Sequence, residues 1–135
     1  MELWIFLTIV VLLISLGLIV RATKKRNIDT ALAAREALTD EEIYRRFYAS
    51  LGLNKTEVIE LWHEIAEILR VPAERMRPSD KFGKDIGTYW ITSEELDILS
   101  TAAQQRAKLR GLTIDLASIK TVDDYVKRLA RGLDI

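Results

Sequence analysis

Residues 3–20 read LWIFLTIVVLLISLGLIV and decide the architecture of the chain. The run carries no charge, and only Thr8, Ser15 and Gly17 interrupt its large apolar side chains. A helix over this run rises about 27 Å, which is close to the hydrocarbon thickness of a bilayer. The run therefore predicts one transmembrane helix at the amino-terminal end of the chain.

A cleaved signal peptide is the alternative interpretation of this run. Such peptides begin with positive charge and have a shorter apolar core. Here an acid, Glu2, precedes the run. Four basic residues follow it directly, namely Arg21, Lys24, Lys25 and Arg26. A retained anchor is therefore favoured, and because basic flanks stay inside, we expect the amino terminus outside and the domain in the cytoplasm. Contact of the basic residues with anionic lipid is a further, weaker expectation.

The overall composition excludes several classes of protein. The chain of 135 residues has 20 basic and 20 acidic residues and no cysteine. Without cysteine there can be no disulfide framework, thiol nucleophile or thiolate metal site. Because the basic cluster lies beside the apolar run, the rest of the chain is mildly acidic and shows no basic face for a nucleic acid.

Beyond the anchor, the chain divides into a linker region and a bundle. The anchor with its basic segment covers residues 1–26, a helical linker with an extra amphipathic helix covers 27–53, and a helical bundle covers 54–135. Residues 27–38 have few large apolar side chains and predict either a helical stalk of low stability or a mobile tether. The extra helix has one apolar face, which carries Ile43, Tyr44, Phe47, Tyr48 and Leu51. Its aromatic residues either extend the core or face a partner.

The bundle contains three further helical patterns and no sustained strand alternation. The first has a strong apolar stripe, made of Val58, Leu61, Trp62, Ile65, Ile68 and Leu69. A connection over residues 72–91 follows, and its apolar residues predict an ordered loop. The second helix begins at the capping sequence Thr92-Ser93-Glu94-Glu95, with Leu96, Leu99 and Leu109 predicted to face inward. The third begins near Thr121, so the predicted fold class is all-α.

Over about residues 54–132, the order of these parts resembles acyl carrier proteins. Residues 69–87 read LRVPAERMRPSDKFGKDIG, where that family typically reads L-G-V-x-x-E-x-V-x-x-x-x-x-F-x-x-D-L-G. Residues 119–126, IKTVDDYV, are similar to the family's I-x-T-V-x-D-x-V/I before its final helix. The resemblance implies an acyl-carrier-like bundle of three main helices and a short fourth.

The resemblance ends at the residue that carries phosphopantetheine in the family. There, two residues separate the D-L-G from the modified serine, and Thr88 and Tyr89 are the two residues that follow Gly87 here. The serine position is therefore Trp90, whose indole has no hydroxyl to form the phosphodiester. Ser93 is predicted to belong to the start of the next helix. We therefore expect no prosthetic group and no other cofactor.

No combination of residues indicates an enzyme. His63 is the only histidine, and it has only Glu67 at helical spacing, which is too little for a metal or catalytic site. A place on a polar or boundary face is favoured instead. The sequence has no paired-carboxylate site, no Ser-His-Asp set and no phosphate-binding glycine loop. We expect no catalytic, metal or cofactor-binding residues.

The candidate partner-binding residues surround the start of the second bundle helix: Tyr89, Trp90, Glu94, Glu95 and Asp97. The two adjacent aromatics are either an interface anchor or part of the core. The helix begins acidic and ends basic, with Arg106, Lys108 and Arg110, so its surface should differ from the acidic surface that carrier proteins present.

These features predict a membrane-tethered, non-carrying, acyl-carrier-like interaction or adaptor module with a membrane-associated protein partner. Family analogy suggests a partner in lipid or acyl metabolism. Two alternatives remain open, a small accessory subunit of a larger membrane complex and an atypical phosphopantetheine carrier.

Overall fold

The computed structural model describes residues 2–87 and 94–130 of the chain. Its five α-helices are α1 (Glu2–Ala33), α2 (Asp40–Phe47), α3 (Lys55–Leu69), α4 (Glu94–Leu109) and α5 (Val122–Leu129). Three short 3-10 turns lie at Ala49–Leu51, Ala73–Arg75 and Leu116–Ser118. Strand-like pairing in the described residues is limited to two isolated bridges, Lys81 with Thr121 and Phe82 with Ile86. The predicted all-α class is confirmed for this part of the chain.

The first helix, α1, combines an apolar segment with an end that enters the bundle. Its segment Glu2–Val20 is long and apolar enough to cross a membrane, with a mean hydropathy of 3.0. The helix continues without a break, and Ile28 and Leu32 near its end are buried in the bundle core. Of the two predictions for residues 27–38, the helix is therefore correct up to the end of α1. The two apolar residues, one helical turn apart, are enough to dock the end of α1 on the bundle.

The central helix of the bundle is α3, which contacts α2, α4 and α5. Asn54 begins it by accepting a hydrogen bond from the backbone N–H of Glu57 at 3.1 Å. Its buried residues are Val58, Leu61, Trp62, Ile65, Ala66 and Leu69. The apolar stripe predicted from the sequence is therefore confirmed, with Ile68 only partly buried.

The aromatic residues around α2 belong to the core. Tyr48 and Trp62 are fully buried, and the rings of Phe47 and Trp62 stack with centroids 6.4 Å apart. The Tyr44 hydroxyl donates a hydrogen bond to the carbonyl oxygen of Leu53 at 2.6 Å. The extra helix therefore enlarges the bundle core, which is the first of the two alternatives, with Tyr44 and Phe47 partly buried.

The connection after α3 is ordered as far as the structure describes it. Met76 and Ile86 are fully buried, and Phe82 packs edge-on against Tyr125 of α5 with ring centroids 6.4 Å apart. Backbone hydrogen bonds tie this loop to the start of α5, including one from the N–H of Val122 to the carbonyl of Asp80 at 3.0 Å. The predicted ordered loop is thus confirmed up to residue 87.

Gly87 ends this loop in a conformation that other residues rarely adopt. Its φ is +74°, and a Cβ there would lie 3.3 Å from a methyl carbon of Leu96 and 3.4 Å from one of Leu69. A side chain would therefore meet both backbone strain and close contacts. The glycine lets the loop pass closely between α3 and α4, which positions the start of α4.

Candidate functional site

The fourth helix, α4, has an inward face that packs on the bundle. Leu99, Ala103 and Ala107 are buried on this face, and Leu96 is partly buried. Leu109 was predicted to face inward, but it is 87% exposed. The prediction is wrong because Leu109 lies about 200° around the helix from Ala107, two residues earlier. The small alanines, rather than a leucine, allow the last turns to approach α3.

The opposite side of α4 carries the candidate site. Glu94, Asp97, Ile98 and Thr101 are exposed and share one face because they are three, four and seven residues apart. We term these four residues the outer α4 face. Ile98 is 51% exposed, and the face borders a shallow depression of about 330 Å³. Among the ion pairs of the described residues, none involves Glu94 or Asp97.

The structure brings together only part of the predicted partner-binding set. Glu94 and Asp97 lie on the outer α4 face, as expected. Glu95 turns towards the bundle and is half-buried, and its Oε2 has no hydrogen-bond partner within the described ranges. Tyr89 and Trp90 lie outside the described residues, as do the first two residues of the capping sequence before Glu94. Sequence reasoning missed Ile98, although its spacing from Glu94 marks it as part of the same face.

The basic end of α4 is directed at α3 rather than at solvent. Nε and Nη2 of Arg106 each donate to the Glu64 carboxylate, at 3.0–3.1 Å, and Nη2 also donates to Glu60 at 3.1 Å. The Tyr125 hydroxyl donates to Oε2 of Glu64 at 2.7 Å. The hydrogen bonds to Glu64 raise the pKa of Arg106. Burial raises the pKa of Tyr125, and the bond to Glu64 adds to this.

A second arginine extends this contact and corrects a prediction. Arg110 donates to Glu57 at the start of α3, and both side chains are largely buried. Together Glu57, Glu60, Glu64, Arg106 and Arg110 form what we term the α3–α4 ion-pair cluster. Of the three basic residues expected to change the surface of α4, only Lys108 is exposed. The described exterior of α4 therefore remains acidic at its start, because its two arginines are used within the bundle.

A small apolar cavity lies behind α4. It has a volume of about 160 Å³ and is lined by Phe82, Leu96, Leu99, Ser100, Ala103, Leu116, Ile119 and Tyr125. A cavity of about 150 Å³ with apolar walls can hold a molecule the size of benzene. The space between α4, the loop and α5 is therefore large enough for a small apolar group.

The remaining candidate residues form no reactive site within the described parts of the chain. His63 is half-exposed, and its Nε2 lies 2.8 Å from Oδ1 of Asp40, which is also half-exposed. This is the polar-face position expected from the sequence. The described residues contain no group of three His, Asp or Glu side chains that could hold a metal ion. Of the basic residues after the apolar segment, Arg26 is exposed on α1.

Comparison with protein-family models, with curated proteins and with solved structures finds no match to this chain. The candidate site therefore rests on the geometry of α4 and its surroundings. That geometry is an exposed isoleucine between acidic side chains, on a helix held firmly at its other end.

Proposed function

We propose that this protein is a membrane-tethered, non-carrying, acyl-carrier-like interaction module. In this proposal α1 crosses the bilayer, the bundle lies at the cytoplasmic surface, and the outer α4 face binds a protein partner. The single observation that carries the proposal is Ile98, an apolar residue exposed between Glu94 and Asp97 on a helix of the bundle. The protein would work by binding, not by catalysis.

The membrane part of the proposal is supported by the exposure of α1. Large apolar side chains cover all sides of its first twenty residues, with Leu3 67% and Phe6 63% exposed, and such a surface is unfavourable in water. The basic residues after Val20 favour a cytoplasmic bundle. The chain has no cysteine, so single cysteines can test this. An impermeant thiol reagent on intact cells should label Glu2→Cys and not Ser50→Cys, and the reverse result would overturn the orientation.

The carrier-like part is supported by the order of helices and by the loop between them. A long loop follows α3 and is ordered up to residue 87, and its bridge from Lys81 to Thr121 ties it to the start of α5. The sequence places Trp90 where the family's modified serine stands. Intact mass after co-expression with a phosphopantetheinyl transferase should therefore equal the mass of the unmodified chain. An adduct would replace this proposal with an atypical carrier.

The chemistry of the outer α4 face suggests the kind of partner surface. An apolar centre with acidic neighbours is complementary to an amphipathic helix whose apolar residue is flanked by Lys or Arg. Interfaces of this kind depend on a few central apolar contacts, while charges at the rim mainly steer association. Tyr89 and Trp90 precede this face in the sequence and belong to the same proposal as interface residues.

A photocrosslinking amino acid at position 98 tests the proposal in the native membrane. It should give a discrete adduct with one protein, and Asp97→Lys in the same chain should abolish that adduct. The matched control is the crosslinker at position 109, an exposed leucine about 16 Å further along the same helix and beyond the outer α4 face, which should give no such adduct. Equal adducts from positions 98 and 109, or an adduct insensitive to Asp97→Lys, would contradict the assignment of this face.

The apolar cavity favours a second candidate function, the non-covalent binding of a short acyl chain or a similar apolar group. Its walls come from α4, α5 and the ordered loop, so a ligand there would stabilise the bundle by mass action. Hexanoate should raise the melting temperature of the full chain in detergent micelles. In Ala103→Leu, which fills the cavity, hexanoate should have no effect. Equal shifts in both proteins would exclude the cavity as the site.

A further inference from the structure

The end of α1 is held by a group of charged residues that we term the α1 clamp: Arg35, Arg75, Arg77 and Asp80. Asp80 is only 2% exposed. Arg35 binds it through two hydrogen bonds, Nη1 to Oδ2 and Nη2 to Oδ1, both 2.7 Å long. The backbone N–H of Arg77 donates a third, at 2.8 Å. A two-point contact between guanidinium and carboxylate fixes orientation as well as distance.

Arg75 and Arg77 complete the α1 clamp by binding the last carbonyl of α1 and two carbonyls just after the helix. Nη1 of Arg75 donates to the carbonyl of Ala33 at 2.8 Å and to that of Arg35. Nη2 of Arg77 donates to the carbonyl of Glu36 at 2.6 Å. The last carbonyls of a helix lack partners within the helix and carry its negative dipole end, so Arg75 satisfies the carbonyl of Ala33 and places a positive charge beside it. The other two carbonyls lie just beyond the end of α1.

Apolar contacts hold the same segment from the side of the core. Ile28, Leu32 and Leu38 are 8%, 1% and 2% exposed, and all three belong to the main core cluster. The backbone N–H of Leu38 also donates to the carbonyl of Glu74 at 2.8 Å. Because α1 is helical from Glu2 to Ala33, no turn or extended segment separates its apolar part from these contacts. Tilting the bundle against α1 would break either the helix or the α1 clamp.

We infer that α1 and the bundle move in the membrane as one rigid body and hold the outer α4 face at a fixed height above the bilayer. The inference rests on the proposed function, because it requires α1 to span the membrane. Ile28 lies eight positions after Val20 in α1, a rise of about 12 Å. The headgroup layer accounts for about 5–7 Å of this, so the bundle begins just above it.

A rigid attachment restricts the kind of partner that the outer α4 face can bind. A flexible tether would let the bundle reach partners at many heights and in many orientations. A bundle on a stiff helix instead presents its surface only at heights above the headgroups that do not exceed the size of the bundle. A domain of some hundred residues has a radius of gyration of about 13 Å. The partner is therefore a protein held in or on the same membrane, with its docking surface at the matching height.

Distance measurements between two spin labels test the rigid attachment without any partner. In lipid nanodiscs, the full chain with Val11→Cys and Ser50→Cys should give a distance distribution as narrow as that of Val11→Cys and Asp29→Cys, a pair within α1. All three positions are exposed. Insertion of Gly-Ser-Gly-Ser between Arg26 and Asn27 provides the flexible reference. A native distribution as broad as this reference would overturn the inference.

Variants of the α1 clamp show whether these contacts cause the rigidity. Arg35→Lys keeps the charge but loses the two-point contact, and it should broaden the distribution towards that of the flexible reference. Arg106→Lys is the matched control, because it alters a two-point arginine contact of the α3–α4 ion-pair cluster instead, and it should leave the distribution narrow. Equal broadening in both variants would assign the rigidity to the bundle as a whole and refute the role of the clamp.

A change in height then tests the partner. Seven alanines inserted between Arg26 and Asn27 raise the bundle by about 10 Å and restore its rotation to within about 20°. The position-98 crosslink to the partner should be lost in this variant, while spin-label distances remain narrow. A crosslink that persists after the insertion would refute the fixed height. Failure of the position-98 crosslink in the native chain would instead refute the proposed function. The spin-label distances alone would then test the rigid attachment.

Discussion

Two groups of arginine–carboxylate pairs hold this molecule together, and they differ in how far water reaches them. In the α1 clamp, the side chain of Asp80 is 2% exposed, and its carboxylate is bound by Arg35 and by the backbone N–H of Arg77. In the α3–α4 ion-pair cluster, the side chain of Glu64 is 22% exposed and that of Glu60 is 59% exposed. The chemistry of the contacts is the same, so burial should decide how much each one matters.

The degree of burial indicates which of the two contacts has the more strictly defined geometry. A buried ion pair is weak evidence for stability in itself, since well-packed apolar residues could replace it. Removing one partner from it is nevertheless costly, because the other charge stays buried. The α1 clamp is thus made of groups that tolerate only one arrangement. In the α3–α4 ion-pair cluster, by contrast, water can replace a lost hydrogen-bond partner.

The largest effect is expected for Arg35→Ala in the α1 clamp. It leaves the carboxylate of Asp80 buried with one backbone N–H as its remaining described donor, and it should lower the free energy of unfolding by about 3 kcal/mol. Urea unfolding of the full chain in detergent micelles would measure this. The double variant Arg35→Met with Asp80→Asn should recover most of the loss. A loss below about 1 kcal/mol in the single variant would erase the contrast between the two groups.

Alkaline pH should act on Tyr125, which donates a hydrogen bond to Glu64 of the α3–α4 ion-pair cluster, and not on the α1 clamp. Burial raises the pKa of Tyr125, so its contribution to stability is complete below the unfolded pKa of about 10 and is lost as the pH rises above it. The loss should reach about 1.4 kcal/mol at pH 11. Tyr125→Phe should remove it, whereas Arg35→Ala should keep the same alkaline slope, because guanidinium groups stay protonated there.

Tyr48 provides the control for this pH dependence. Burial raises its pKa as well, with the nearby Asp123 carboxylate adding to the effect. Unfolding measured between pH 9 and 11 should therefore keep part of its slope in Tyr125→Phe and lose the rest when Tyr48→Phe is added. An unchanged slope in the double variant would show that neither buried phenol controls alkaline stability.

The sequence predicted those parts of the fold that depend on local periodicity. The stripe on α3 and the start of α5 at Thr121 follow from spacing and capping rules, and both are confirmed. The inward placement of Leu109 was wrong, because Leu109 lies about 140° around the helix from Leu96, so their spacing does not put them on one face. The docking of α1 through Ile28 and Leu32 was not recognised, since two apolar residues in a polar segment resemble an exposed stalk.

The contacts between distant segments had no signal in the sequence. Arg35 and Asp80 are 45 residues apart, and Arg106 and Glu64 are 42 apart. Many arginines and acids of this chain could have paired in other ways, so neither contact could be deduced. Glu94 and Asp97 at the start of α4 are exposed as predicted, whereas Glu95 turns towards the bundle, and only the three-dimensional neighbours show that the basic end of α4 is used inside the bundle.

A smaller effect than that of the clamp is expected for Arg106→Ala. The carboxylate of Glu64 keeps its hydrogen bond from Tyr125 and can also be hydrated, so the free energy of unfolding should fall by about 1 kcal/mol. Arg106→Lys should recover part of this loss. Urea unfolding under the same conditions as for Arg35→Ala gives the comparison directly. A loss equal to that of Arg35→Ala would show that burial of the carboxylate is not what separates the two groups.

The smallest effect is expected for Lys55→Ala, which calibrates the scale. Lys55 pairs with Glu41, and their side chains are 49% and 62% exposed, so the attraction is screened by water and salt. Lys55 is also the first residue of α3, where a positive charge opposes the helix dipole. The two effects have opposite signs, and the free energy of unfolding should change by less than about 0.5 kcal/mol. If Lys55→Ala instead cost as much as Arg106→Ala, exposure would not rank these contacts, and the rigidity assigned to the α1 clamp would lose its energetic basis.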